Sequence, residues 1–217
     1  MANSNGAFGL RPYGILGSAA NTTGTTEYRI ASDNSNPIFQ GMAVIPLAGG
    51  VIDDLQAAAG GNVSIAGVFN GCEYVSSTTG EKIFSNYWPG SGADSNFPVK
   101  AFLYDNPAQL FTIATSNVVS AANTEAEVRA AVFANIAFAT GNSGSTTTGI
   151  SSATADLNTI ATTNTLALRI MGIMDDPDNS DFTAAGIPLI VRINNHFNAP
   201  TGSIAAGTVS TTGVEGV

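Results

Sequence analysis

Gly, Pro, Asn and Asp cut this chain at short intervals, and most pieces between the cuts are brief apolar runs. Such runs suit strands and are too short for a helix burying a stripe over several turns. The runs that read as strands are Glu27–Ala31, Met42–Leu47, Val63–Asn70, Cys72–Ser76, Lys82–Ser85, Val99–Tyr104, Leu110–Ala114, Val132–Ala139, Leu166–Met174 and Ile187–Asn195. In the last, Ile187, Leu189, Val191 and Ile193 alternate with Pro188, Ile190, Arg192 and Asn194, the period of a strand with one buried face. Thr78, Thr79 and Gly80 mark a turn that makes Cys72–Ser85 a hairpin. Many short strands with regular turn signals predict a mainly β chain, a compact barrel or sandwich of short antiparallel strands with one or two short helices.

One segment reads as a helix. Asn123 or Thr124 can cap it, and Glu125 and Glu127 fall in its first turn, where the helix dipole favours acids. It runs from Glu125 to about Ala131. Ala57–Ala59, after Asp53 and Asp54, suggests a further short turn of helix, and residues 140–156, rich in Gly, Ser and Thr, read as a long loop. Residues 1–25 read as an extended N-terminal arm with apolar anchors Phe8, Leu10, Tyr13, Ile15 and Leu16. Such an arm packs on its own domain or on a neighbour; the alternative is a first strand behind a frayed end. Residues 26–197 form the β-rich domain, and 198–217 a Gly/Thr/Ala-rich tail expected to be flexible unless a partner holds it.

Polarity comes from Thr, Ser, Asn and Gly, because only 11% of the residues are charged, against roughly 25% in ordinary domains. Seven basic residues face sixteen acidic ones, for a net charge of -9. Nucleic-acid binding needs Lys and Arg to displace phosphate counterions, so no nucleic-acid partner is expected. The basic residues Arg11, Arg29, Lys82, Lys100, Arg129, Arg169 and Arg192 look scattered in the sequence. No apolar run is long enough to span a membrane. The start MANSNGAFGLRP lacks the basic and apolar regions of a signal peptide, so synthesis in a cytoplasm without the usual export is expected.

Catalytic chemistry finds little to build on. Cys72 and His196 are the single cysteine and histidine. They could pair as nucleophile and base, but Cys72 lies in a strand pattern that suits a buried structural thiol. His196 follows Asn194 and Asn195 at a strand end, where hydrogen bonding is the simpler role. The acidic run Asp175-Asp176-Pro177-Asp178-Asn179, with Asp181 beyond, is either a Ca²⁺ loop or a tight turn. It lacks EF-hand spacing, and its composition suits the turn. No phosphate-binding glycine loop or nucleophile elbow occurs, so no enzyme, cofactor or metal is expected. Tyr87 and Trp88, before Pro89, form an aromatic cluster with three readings: a sugar-stacking platform, an interface anchor, or a plug over the core.

Several segments together resemble a family of tailed-bacteriophage virion proteins, the head decoration or cement proteins. They are Gly6-Ala7-Phe8-Gly9-Leu10-Arg11-Pro12, Phe39-Gln40-Gly41-Met42-Ala43-Val44, Ile65-Ala66-Gly67-Val68-Phe69-Asn70-Gly71-Cys72-Glu73-Tyr74 and Val99-Lys100-Ala101-Phe102-Leu103-Tyr104-Asp105-Asn106-Pro107. In the C-terminal half come Gly144-Ser145-Thr146-Thr147-Thr148-Gly149, Ile160-Ala161-Thr162-Thr163, Leu166-Ala167-Leu168-Arg169-Ile170, Asp176-Pro177-Asp178-Asn179 and the ending Leu189-Ile190-Val191-Arg192-Ile193-Asn194-Asn195-His196. The resemblance implies a module without catalytic residues on the outside of an assembled capsid. Its partners would be the major capsid protein and further copies of itself, a trimer before a dimer. Phe8, Leu10, Arg11, Pro12, Tyr13, Tyr87 and Trp88 are the expected interface residues. The alternatives are a carbohydrate-binding adhesin on the virion and a major shell or tail subunit.

Overall fold

The computed structural model describes residues 3–17, 24–55, 64–117, 122–140 and 143–199. Strands dominate. They are β1 (Arg11–Ile15), β2 (Thr26–Ile30), β3 (Ile38–Phe39), β4 (Ala43–Leu47), β5 (Val51–Asp54), β6 (Gly67–Val75), β7 (Lys82–Ser85) and β8 (Tyr87–Trp88). After these come β9 (Val99–Tyr104), β10 (Gln109–Ala114), the helix α1 (Glu125–Ala130), β11 (Asn135–Thr140), β12 (Thr154–Ala161), β13 (Leu168–Ile173) and β14 (Pro188–Ile193).

Five strands close a barrel. Its sheet runs β4-β5-β2-β9-β6-β7, and β6 also pairs with β4 through Ala43↔Val68 and Val44↔Gly67. The ring is therefore β4-β5-β2-β9-β6, with β7 a flange beyond it. One rung, Ile30↔Ile52 between β2 and β5, is parallel. Strict alternation fills the interior: Val99, Ala101 and Leu103 of β9 are buried, while Lys100, Phe102 and Tyr104 are only half covered. Val44, Ile52, Phe69 and Met42 complete this core, with Trp88 over it.

The sequence suggests two strands broken at Gly71; the structure has one. A bulge between Phe69 and Gly71 in the β6–β9 ladder absorbs the extra residue and lets pairing continue. Gly71 suits this place, because a Cβ there would stand 2.9 Å from the Ser85 carbonyl oxygen. The predicted Cys72–Ser85 hairpin is present, with Cys72↔Ser85 through Val75↔Lys82 in register.

The second sheet has the order β1-β10-β14-β13-β11-β12, all antiparallel. It curls, since Thr115 after β10 bridges to Ala155 in β12. Inside lie Phe111, Ile113, Leu168, Ile170, Leu189, Val191 and Ile193, with Ile65 and Val68 reaching in from the barrel side. One core thus grades into the other. Val128 of α1 is buried in it, and a full capping box starts the helix: Thr124 accepts from the Glu127 amide, and Glu127 returns the bond to the Thr124 amide.

Of the two readings of residues 1–25, the strand holds over Arg11–Ile15: β1 pairs with β10 from Arg11↔Thr112 to Ile15↔Gln109. One expectation needs correction. The loop at 140–156 ends early, because β12 begins at Thr154. Asp53 and Asp54 lie in β5, where Asp53 accepts from Asn34 and Asn36. The Ala57–Ala59 turn and the tail from residue 200 onward lie outside the described residues.

Candidate interaction surface

Phe8, Leu10, Arg11 and Pro12 come together where β1 passes the barrel, lining a groove of about 320 Å³ with Gln40 and Tyr104. Phe8 and Leu10 face inward and are buried. The Leu10 amide donates to the Gly41 carbonyl at 2.8 Å. Gly9, at φ +71°, permits this crossing, since a Cβ on it would meet the Gly41 oxygen at 2.6 Å. Phe8 and Leu10 therefore hold the chain to itself and are not free interface anchors. Arg11 is exposed, its guanidinium 4.2 Å from the centre of the Phe8 ring. Tyr13 is 49% exposed.

Tyr87 and Trp88 lie elsewhere, in β8, paired with β3 through Phe39↔Tyr87 and Ile38↔Trp88. Trp88 has no exposed surface, its Nε1–H donates to the Asn34 carbonyl at 3.2 Å, and Tyr74 packs edge-on at 5.4 Å. Tyr87 stacks on Phe39 at 5.7 Å. Among the three readings of this cluster, the plug fits. Trp88 presents no face to a sugar or a partner protein, so it drops out as an interface residue.

The register of the second sheet assembles a surface that the sequence does not display. Directly opposed residues share a sheet face. Arg169 of β13 stands opposite Arg192 of β14, and Arg192 opposite Leu110 of β10. The next outward row is Arg11, Thr112 and Ile190. Three of the seven basic residues thus share one sheet face. The three ion pairs among the described residues, Lys82–Glu73, Lys100–Glu27 and Arg129–Glu125, use none of them. The Arg169 Nε–H donates to Asn135 Oδ1 at 3.2 Å, which fixes its direction. Arg192 is half-buried, and burial first, then Arg169 beside it, push its guanidinium below its usual pKa. It remains a cation at neutral pH. Like charges directly opposed on a sheet are unfavourable, and no ion pair among the described residues offsets that cost here.

Further apolar side chains stand open on the molecule. Phe84 is 70% and Phe133 72% exposed, with Leu47, Phe97, Met174 and Phe197 partly so. Phe133 is also the one non-glycine among the described residues with positive φ, at +75°.

The remaining candidates are structural. Cys72 is buried, its Sγ 3.4 Å from the Tyr87 carbonyl, and burial pushes its thiol up to about 12. His196 is buried and bridges to Ile65, and its Nδ1 accepts the Asn198 amide at 3.1 Å. Burial, with a smaller push from Arg192 against a pull from Asp105, lowers its pKa to about 4. The acidic run forms a 3-10 turn over Pro177–Asn179, capped by Asp176, whose carboxylate accepts from the Asp178 amide and the Asn179 side chain. The Asp176 oxygens are engaged locally, as in a tight turn.

Comparison with protein-family models, with curated proteins and with solved structures gave no match.

Proposed function

We propose that this protein is a capsid decoration protein, which binds the exterior of an assembled phage head and bridges major capsid subunits. The observation that carries the reading is the opposed pair Arg169 and Arg192, held on a sheet face with no ion pair to either among the described residues. Arg11 shares that face, Tyr13 is exposed two residues along the same edge strand, and Arg and Tyr are among the side chains enriched at protein interfaces. A carboxylate-bearing surface on the shell protein would relieve the repulsion and form charge-assisted bonds. A low overall charge density favours close packing against such a surface. The resemblance of the chain to decoration proteins supports the same reading. Mechanically, a subunit that binds only the assembled shell stabilises that state by mass action.

The test is binding to heads that lack the protein. Arg192→Gln and Arg169→Gln should each weaken binding about tenfold, the loss of one charge-assisted contact. Arg129→Gln, whose partner Glu125 lies in its own helix, should leave binding unchanged. Equal binding by all three variants, or no saturable binding by the wild type, overturns the proposal.

A further inference from the structure

We infer that β7 is the self-association edge of the molecule, pairing antiparallel with β7 of a second copy about a two-fold axis at Ile83. The inference rests on the decoration reading, which expects a homo-oligomer, and takes its dimer in place of the trimer by naming the surface and the register.

β7 is the last strand of its sheet order, so its outer edge has no strand partner among the described residues. The polarity of that edge follows from the hairpin. The Ser76 amide donates to the Glu81 carbonyl at 2.8 Å. Antiparallel ladders alternate, so the main-chain groups of Ile83 point toward β6 and those of Lys82 and Phe84 point away from it. Two donors and two acceptors are thus presented to solvent, and Phe84 stands 70% exposed beside them.

Edge strands are usually blunted against such pairing. β1 carries Pro12 and a bulge between Pro12 and Gly14, both of which blunt an edge. β7 has no proline, and its ladder with β6 is in unbroken register. Its one blunting device is Lys82, and Glu73 of the neighbouring strand neutralises it at 2.6 Å.

Charge then selects one register. Only Lys82 and Phe84 turn outward, so hydrogen-bonded pairs across the axis must join these residues. Setting Lys82 against Lys82 opposes like charges. Setting Phe84 against Phe84 leaves Lys82 opposite Asn86, where the strand has ended. Setting Lys82 against Phe84 places a cation beside an aromatic ring twice, by symmetry, with Ile83 facing its own copy and Glu81 opposite Ser85. The surface is self-complementary in that register alone. The occupant is therefore a second copy of this chain, joined as in strand addition.

Ile83 facing itself would be a non-hydrogen-bonded pair, with Cα atoms ~4.5 Å apart, inside the range a disulfide spans. Cys72 is buried and does not compete. Ile83→Cys should form an interchain disulfide under mild oxidation, while Lys82→Cys and Phe84→Cys, which face different residues, should not. Phe84→Lys, an exposed change that sets Lys against Lys, should shift sedimentation of the isolated protein from dimer to monomer. Circular dichroism checks that each variant is folded. A monomeric wild type, an oligomer that Phe84→Lys leaves intact, or cross-linking equal at all three positions overturns the inference. All of this is read without heads, so it fails or stands separately from capsid binding.

Discussion

Acid should unfold this protein partly through one residue, His196. Its Nδ1 accepts the Asn198 amide, which puts the proton of the neutral ring on Nε2, and Nε2 has no hydrogen-bond partner among the described residues. Adding a second proton would break the Asn198 bond and bury a cation near Arg192. The folded ring therefore titrates at about 4, against an ordinary value of 6.5. The sign follows from linkage. Between these values the unfolded chain binds the proton and the folded chain does not, so stability is lost as pH falls below about 6.5 and the loss is complete below about 4. The gap of about 2.5 pH units, at about 1.4 kcal/mol each, corresponds to about 3.5 kcal/mol. About 2 kcal/mol of it should be gone near pH 5. Urea unfolding of wild type and His196→Asn near pH 7.5 and near pH 5 isolates this group from the carboxylates. Asn keeps an acceptor for the Asn198 amide but does not titrate. The variant should be the less stable near neutrality, and its deficit should shrink by about 2 kcal/mol near pH 5. Parallel pH curves for the two proteins would mean that His196 does not titrate differently on folding.

Other outcomes follow from single side chains. Phe133 holds a left-handed backbone at φ +75° while 72% exposed, so Phe133→Gly should raise stability by about 1 kcal/mol in chemical unfolding; a loss would mean that the ring packs in a way its exposure conceals. Trp88→Ala should cost about 3–5 kcal/mol, as for a wholly buried ring, and a change under 1 kcal/mol would return Trp88 to the surface. Arg192→Gln should leave the midpoint of thermal unfolding unchanged or higher, because it removes an opposed charge; a marked fall would show a structural partner. Cys72 should resist thiol reagents near neutral pH until the protein unfolds, since its thiol is pushed up to about 12; rapid labelling of the folded protein would contradict its burial.

Much of both sheets was legible because their strands alternate cleanly. Val99–Tyr104 in the barrel and Ile187–Asn195 in the second sheet need only period 2 to be found, and Thr124 with Glu127 announces the helix by its cap. β1 hides because Pro12 and Gly14 are poor strand residues, and the pairing with β10 overrides that preference. β12 hides because Thr154–Ala161 is mostly small and polar, and it is held by a bulged ladder to β11. Exposure was the hardest to read. Trp88 beside Pro89 fits a sugar platform, an interface anchor or a plug along the chain, until the β3–β8 pairing turns it inward. Arg169 and Arg192 look scattered until β13 and β14 set them side by side. A charge pattern made by strand pairing is invisible to any reading along the chain.

The stoichiometry of purified virions tells whether this is a structural subunit on the outside of a phage head. The protein should co-purify with intact particles in fixed ratio to the major capsid protein and be removed by protease without opening the shell. Its absence from particles, or its presence only in lysates free of assembled heads, would contradict that role.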